Sequence, residues 1–185
     1  LRGMFEQAIQ ALESIRKGFM TQDKTVLERG QNQFAEMLSS NLPFVEQIAA
    51  KVNKDEVDKR FLSTLIPLQK IASSVRSLIA KQKMLLLRDV RFNVKSVTEI
   101  TELLTIMKTQ FRDARDLIVD KDPFLRNDIK RGMEKILESV DKYSLTHYDR
   151  LVTGVSTPKE SYLYLDIVHS VKRIAQELVD FSERL

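Results

Sequence analysis

The sequence predicts an all-α fold of six helices, arranged as two tandem three-helix bundles. Three observations lead there. Apolar residues recur at alternating three- and four-residue steps along most of the chain, the period of helices that bury one face. Helix-start signals punctuate that pattern, as capping boxes or as a capping residue followed by proline. The two halves also align with one another. Composition agrees: among 185 residues there are five Gly, four Pro and no Trp, and 30% are charged, which suits a helical bundle better than a sheet protein.

The first helix follows from Phe5, Ala8, Leu12, Ile15 and Phe19, and ends near Gly18 and Met20. Asp23 is a cap for the second, whose stripe is Leu27, Phe34, Leu38, Leu42, Val45, Ile48 and Val52. Pro43 lies inside that pattern and should kink the helix rather than stop it. Asn53-x-x-Glu56 is a capping box opening the third helix, with Phe61, Leu65, Leu68, Val75 and Leu78 inward and a bend at Pro67. The pattern lapses between Leu86 and Lys95, which sets the internal boundary: residues 1–92 form the first bundle and 93–185 the second.

Ser96-x-x-Glu99 reads as the capping box of the fourth helix, followed by Val97, Ile100, Leu104, Met107, Phe111, Ala114 and Ile118. Asp122-Pro123 supplies a cap and a first-turn proline for the fifth. Its stripe is Leu125, Ile129, Met133, Ile136, Val140, Tyr143, His147 and Leu151. Thr157, Pro158 and Glu160 do the same for the sixth, with a T-x-x-E box. Leu163, Ile167, Val171, Ile174, Leu178, Phe181 and Leu185 give it a stripe that only other helices can bury.

Placing Asp23 on Asp122 also aligns Ala8 with Met107, Leu12 with Phe111, Phe19 with Ile118 and Phe34 with Met133. The third helices align as LQKIASSVRSL from Leu68 on VKRIAQELVDF from Val171, four residues further on. A duplication with a longer turn before the sixth helix accounts for both shifts.

The formal net charge of +4 comes from 30 basic and 26 acidic residues, too small an excess to argue for nucleic acid. There is no cysteine, so disulfides and thiolate metal sites are excluded and a reducing, cytosolic setting is the default. No apolar run approaches the ~20 residues of a membrane span. The opening LRGMFEQA carries neither a signal peptide nor an initiator Met, which suggests a domain attached to something else.

The ordered set His147-x-x-Arg150-Leu151-x-x-Gly154, Tyr164-Leu165-Asp166-Ile167-Val168 and Val171-Lys172-Arg173-Ile174-Ala175 resembles the last helical hairpin of PhoU-like domains. The likeness is greatest to the cytosolic domain of bacterial sodium/phosphate cotransporter-related proteins. Two tandem three-helix bundles is that family's architecture, so the resemblance extends over essentially the whole chain. It marks His147, Arg150 and Asp166 as family-motif residues with structural roles. It also implies E/D-x-x-x-D motifs that hold metal clusters, but here the corresponding positions are Gln31 and Ala35, then Lys130 and Glu134, with Ser73 and Gln176 where the third helices carry Asp. Glu28, Glu134, Asp166 and Glu177 remain as scattered acids, read as solvated. No metal cluster and no cofactor are expected.

His147, on the apolar stripe of the fifth helix, reads as a histidine satisfied within the bundle, and His169 as exposed. No Gly-rich phosphate loop or Ser-His-Asp order anchors enzyme chemistry, and no enzyme is expected. Lys81, Lys83, Arg88, Arg91 and Lys95 crowd the junction of the halves against one acid, Asp89. They read as a candidate docking surface for anionic lipid headgroups or an acidic partner, or else as the solvated face of a helix end. The resemblance implies a regulatory module for phosphate transport, docking on a transporter membrane domain or another protein. That places it on the cytoplasmic side, attached to an inner-membrane protein, with a homodimer possible. The alternatives are a free-standing helical scaffold or dimerisation module unrelated to phosphate, and a metal-binding PhoU-type regulator.

Overall fold

The computed structural model describes residues 1–51 and 56–185, with backbone only for 41, 42, 44–51 and 56–62. The described residues form six α-helices and no strand: α1 (Arg2–Thr21), α2 (Lys24–Lys51), α3 (Glu56–Leu87), α4 (Val94–Asp120), α5 (Pro123–Val152) and α6 (Pro158–Arg184). The chain is an all-α bundle, as the periodicity predicts.

The local start signals act as their chemistry requires. The Asp23 carboxylate accepts hydrogen bonds from the backbone N–H groups of Thr25 and Val26, at 2.8 and 3.2 Å. Asp122 caps α5 with Pro123 behind it, and Thr157 and Glu160 complete a reciprocal box at α6. Asp23 and Asp122 share a second feature: the residue before each, Gln22 or Lys121, is left-handed, with φ of 51° and 50°. The two aligned turns are thus built alike, which fits the repeat. The helices α2 and α3 run through Pro43 and Pro67 without a stop. The proposed Asn53 box and the Val52 position lie outside the described residues, as do the side chains of Leu42, Val45, Ile48 and Phe61.

One start signal is misread. The helix α4 begins at Val94 with Asn93 as its cap, whose side chain accepts from the Ser96 N–H at 2.9 Å. Ser96 is therefore inside the first turn, and Glu99 is buried a turn further on rather than capping. The same four-residue signature occurs by chance where a real cap three residues earlier serves better.

Helix pairs sort the packing. In the second half α4, α5 and α6 all touch one another; in the first, α2 lies between α1 and α3, which make no direct backbone approach among the described residues. The two halves are joined by α1 against α4 and α3 against α6. Both junctions are antiparallel. The Phe5 ring lies tilted against Phe111 while Lys108 bridges to Glu13, and Lys70 meets Glu177 while Lys81 meets Asp166. Equivalent helices of the repeat thus pair across the middle of the molecule. A single apolar core runs through both halves, from Phe5, Leu12 and Ile15 through Phe34 and Leu78 to Met107, Ile136, Ile167 and Phe181.

Glycine permits a close approach of α1 and α2. At Gly30 a Cβ would stand 2.9 Å from the Ile15 nitrogen and 3.1 Å from the Ala11 carbonyl oxygen, so α1 and α2 meet backbone to backbone there.

Candidate functional site

Polar side chains inside the second half converge on Glu99. Its carboxylate is 1% exposed and accepts two hydrogen bonds from the Arg150 guanidinium, at 3.0 and 2.7 Å, in the fork geometry that suits arginine. It also accepts the Tyr164 hydroxyl at 2.6 Å. The His147 ring stacks on Tyr164, with centroids 4.2 Å apart, and its Nδ1 lies 3.1 Å from the same Arg150 nitrogen.

The protonation states follow from these contacts. Arginine only donates, so the His147 Nδ1 must accept, and the ring proton sits on Nε2. That atom is buried and has no hydrogen-bond partner among the described residues. Burial lowers the His147 pKa from its ordinary value, and the nearby Arg150 charge lowers it further, against the opposing pull of Glu99 and Glu160. Burial likewise raises the Tyr164 hydroxyl pKa, and the Glu99 charge adds to this. The cluster therefore holds one carboxylate, one guanidinium, a neutral imidazole and a neutral phenol. Glu99 and Arg150 are occupied with each other, so the assembly fixes the meeting of α4, α5 and α6.

Of the three family-motif residues, His147 and Arg150 are brought together, whereas Asp166 is not among them. Asp166 faces α3, with a carboxylate oxygen 2.6 Å from the Lys81 Nζ. Lys81 also donates to the Tyr162 hydroxyl at 3.2 Å and lies over that ring. This corrects two expectations. Lys81 points inward along the α3–α6 seam and leaves the junction patch, because an acid and a phenol on α6 are within reach. Asp166, with Glu177 beside Lys70, is half-buried and paired rather than a free solvated acid. His147 is only partly satisfied, as its Nε2 shows. His169 is exposed.

The other four junction cations, Lys83, Arg88, Arg91 and Lys95, are exposed. They surround the loop between α3 and α4, at an end of the molecule where three connections meet. Gln22 of the first turn donates to the Phe92 carbonyl at 3.2 Å, and Lys24 bridges to Asp89 at 2.8 Å. Lys159, after the last turn, donates to the Arg88 carbonyl at 3.0 Å, and the Asn93 amide donates to the Ser156 hydroxyl at 3.1 Å. Leu87 and Val94, at the ends of this loop, are each 81% exposed.

A polar groove also runs between α4 and α5, lined by Thr105, Thr109, Asp113, Asp128, Arg131 and Lys135. Burial raises the Asp113 pKa above its ordinary value, and the neighbouring charges of Asp128 and Asp116 add to the effect. At the positions where the resemblance implies metal ligands, Gln31 is buried and donates weakly to the Ile79 carbonyl, and Glu134 is exposed. Among the described residues no three or more His, Asp or Glu side chains gather as a metal would require.

Glu99 and Tyr164 are the members that sequence reasoning missed. The available signal was Glu99 one turn before Leu103 on the apolar face of α4, a carboxylate where burial demands a partner. No helix among the described residues is long and apolar enough to cross a membrane. Comparison of the chain with protein-family models, curated proteins and solved structures finds no match.

Proposed function

We propose that the chain is a non-enzymatic regulatory module for phosphate transport, a PhoU-like domain that docks a helix face on the membrane domain of a transporter. The proposal includes attachment on the cytoplasmic side to an inner-membrane protein. The sequence likeness around His147, Arg150 and Tyr164 suggests the family, and one observation supports docking. The outer face of α5 displays Leu145, Tyr148 and Val152, all exposed and spaced as one stripe. Within the chain α5 packs only on α4 and α6, so this stripe has no partner among the described residues. An apolar stripe rimmed by polar residues, here Asp141 and Asp149, is the form a helix-face contact takes. Docking regulates a transporter only when two of its states bind this face with different affinity.

The first experiment is the mass and fractionation of the native gene product, by immunoblot with an antibody to these residues. A membrane-bound species far heavier than 185 residues supports the reading, and a species of about this size outside the membrane fraction overturns it. The same stripe also permits a second reading, a homodimer acting as a scaffold unrelated to phosphate. Light scattering on the purified chain decides this: a dimer that Leu145→Glu converts to monomer favours the scaffold.

A further inference from the structure

We propose that the end of the molecule carrying the 88–93 loop binds an anionic lipid bilayer surface. This concerns a different face from α5 and stands whether or not the phosphate-transport reading does.

Two properties coincide at this end. The first is charge. Among the described residues none of Lys83, Arg88, Arg91 and Lys95 stands in an ion pair, and the acid nearest to them in sequence, Asp89, is paired with Lys24. Asp23 caps α2, and Glu160 closes the box at Thr157. Asp23, Asp89 and Asp149 are exposed acids at this end, and its cations outnumber them. Lys159 donates to the Arg88 carbonyl, which keeps a fifth cation beside the loop. The second property is apolar exposure. Leu87, Val94 and Val155 project from three different chain segments that the Arg88–Lys159 and Asn93–Ser156 bonds tie together.

The combination selects the partner. A nucleic acid or an acidic protein surface would pair with the cations, yet would leave three aliphatic side chains, two at helix ends and one on a loop, without a matching apolar recess. A bilayer accepts both at once. Aliphatic tips enter the headgroup boundary while flanking Lys and Arg side chains lie among anionic headgroups. The cations lie on the loop and at the adjoining helix ends, all of them exposed.

The test is co-sedimentation of the 185-residue chain with phosphatidylcholine vesicles, with and without phosphatidylglycerol. Binding is expected only when phosphatidylglycerol is present, weakening as salt is raised. The variant R88E/R91E/K95E should lose roughly a hundredfold in affinity or more, from about fivefold per cation removed. Leu87→Ser with Val94→Ser should weaken binding at unchanged charge, whereas Leu145→Glu on α5 should leave it as it was. All of these positions are exposed, so circular dichroism of each variant should match the parent. Absence of binding to phosphatidylglycerol vesicles at low salt overturns the proposal. So does binding that the triple charge reversal leaves intact. Loss with the charge reversal but not with the serine variants also overturns it, because a purely ionic surface would bind any polyanion.

Discussion

At the scale of the residue, Glu99 shows how much depends on a single buried charge. Its removal strands the Arg150 guanidinium and the Tyr164 hydroxyl in the interior, so Glu99→Ala should cost about 3–5 kcal/mol in urea unfolding. Replacing both partners by apolar residues, Glu99→Leu with Arg150→Met, should cost much less than the two single changes added together, since no lone charge remains. His147 contributes a pH dependence of known sign. Folding holds its pKa below the ordinary value of 6.5, so the unfolded chain takes up the proton first as pH falls. The stability contributed by neutral His147 is complete above about pH 6.5 and is lost below it, down to the folded pKa. Urea midpoints for the parent and His147→Gln should therefore converge as pH is lowered from 7.5 to 5.5, roughly the interval around the ordinary imidazole value. Glu13 behaves differently. Its hydrogen bonds to Arg16, helped by Lys108 and opposed by burial, hold it at about 2, so its contribution persists until far more acid conditions.

At the scale of the element, what could be read in the sequence divides by distance along the chain. Asp122-Pro123 and Thr157-Pro158-x-Glu160 were legible because a cap and its partners lie within one turn. Asn93 was not, because Ser96-x-x-Glu99 presents the same signature three residues later and only packing decides between them. The inward course of Lys81 was hidden for a different reason: its partners Asp166 and Tyr162 belong to a helix half the chain away. Two helix-level predictions follow from the legible and the hidden kind. Thr157→Ala removes a side-chain cap and should cost about 1 kcal/mol. Gly30→Ala should also destabilise, by about 1–3 kcal/mol, although alanine favours helix by about 1 kcal/mol, because the new methyl meets the α1 backbone. Thermal melts of the two variants check both signs.

At the scale of the whole molecule, the apolar stripes gave the number and order of helices, and the turns before Asp23 and Asp122 share a left-handed residue. How the halves meet was not legible, since a stripe says that a helix is buried and not by which neighbour. The surfaces were the least legible part. Five basic residues close in sequence looked like one patch, and the structure turns one of them inward and sets exposed Leu87 and Val94 among the rest.

The cross-pairing of α1 with α4 and of α3 with α6 means that the connecting loop at 88–93 is not what keeps the halves together. A protease that nicks this loop should leave both pieces in one particle, co-eluting on a sizing column until denaturant separates them. Mixed after separate expression, the pieces 1–92 and 93–185 should reconstitute it. Alone, the first piece would bare the faces that α1 and α3 bury against its counterpart, and should aggregate. The covalent link between the halves then serves to raise their local concentration, and the interface itself carries the order.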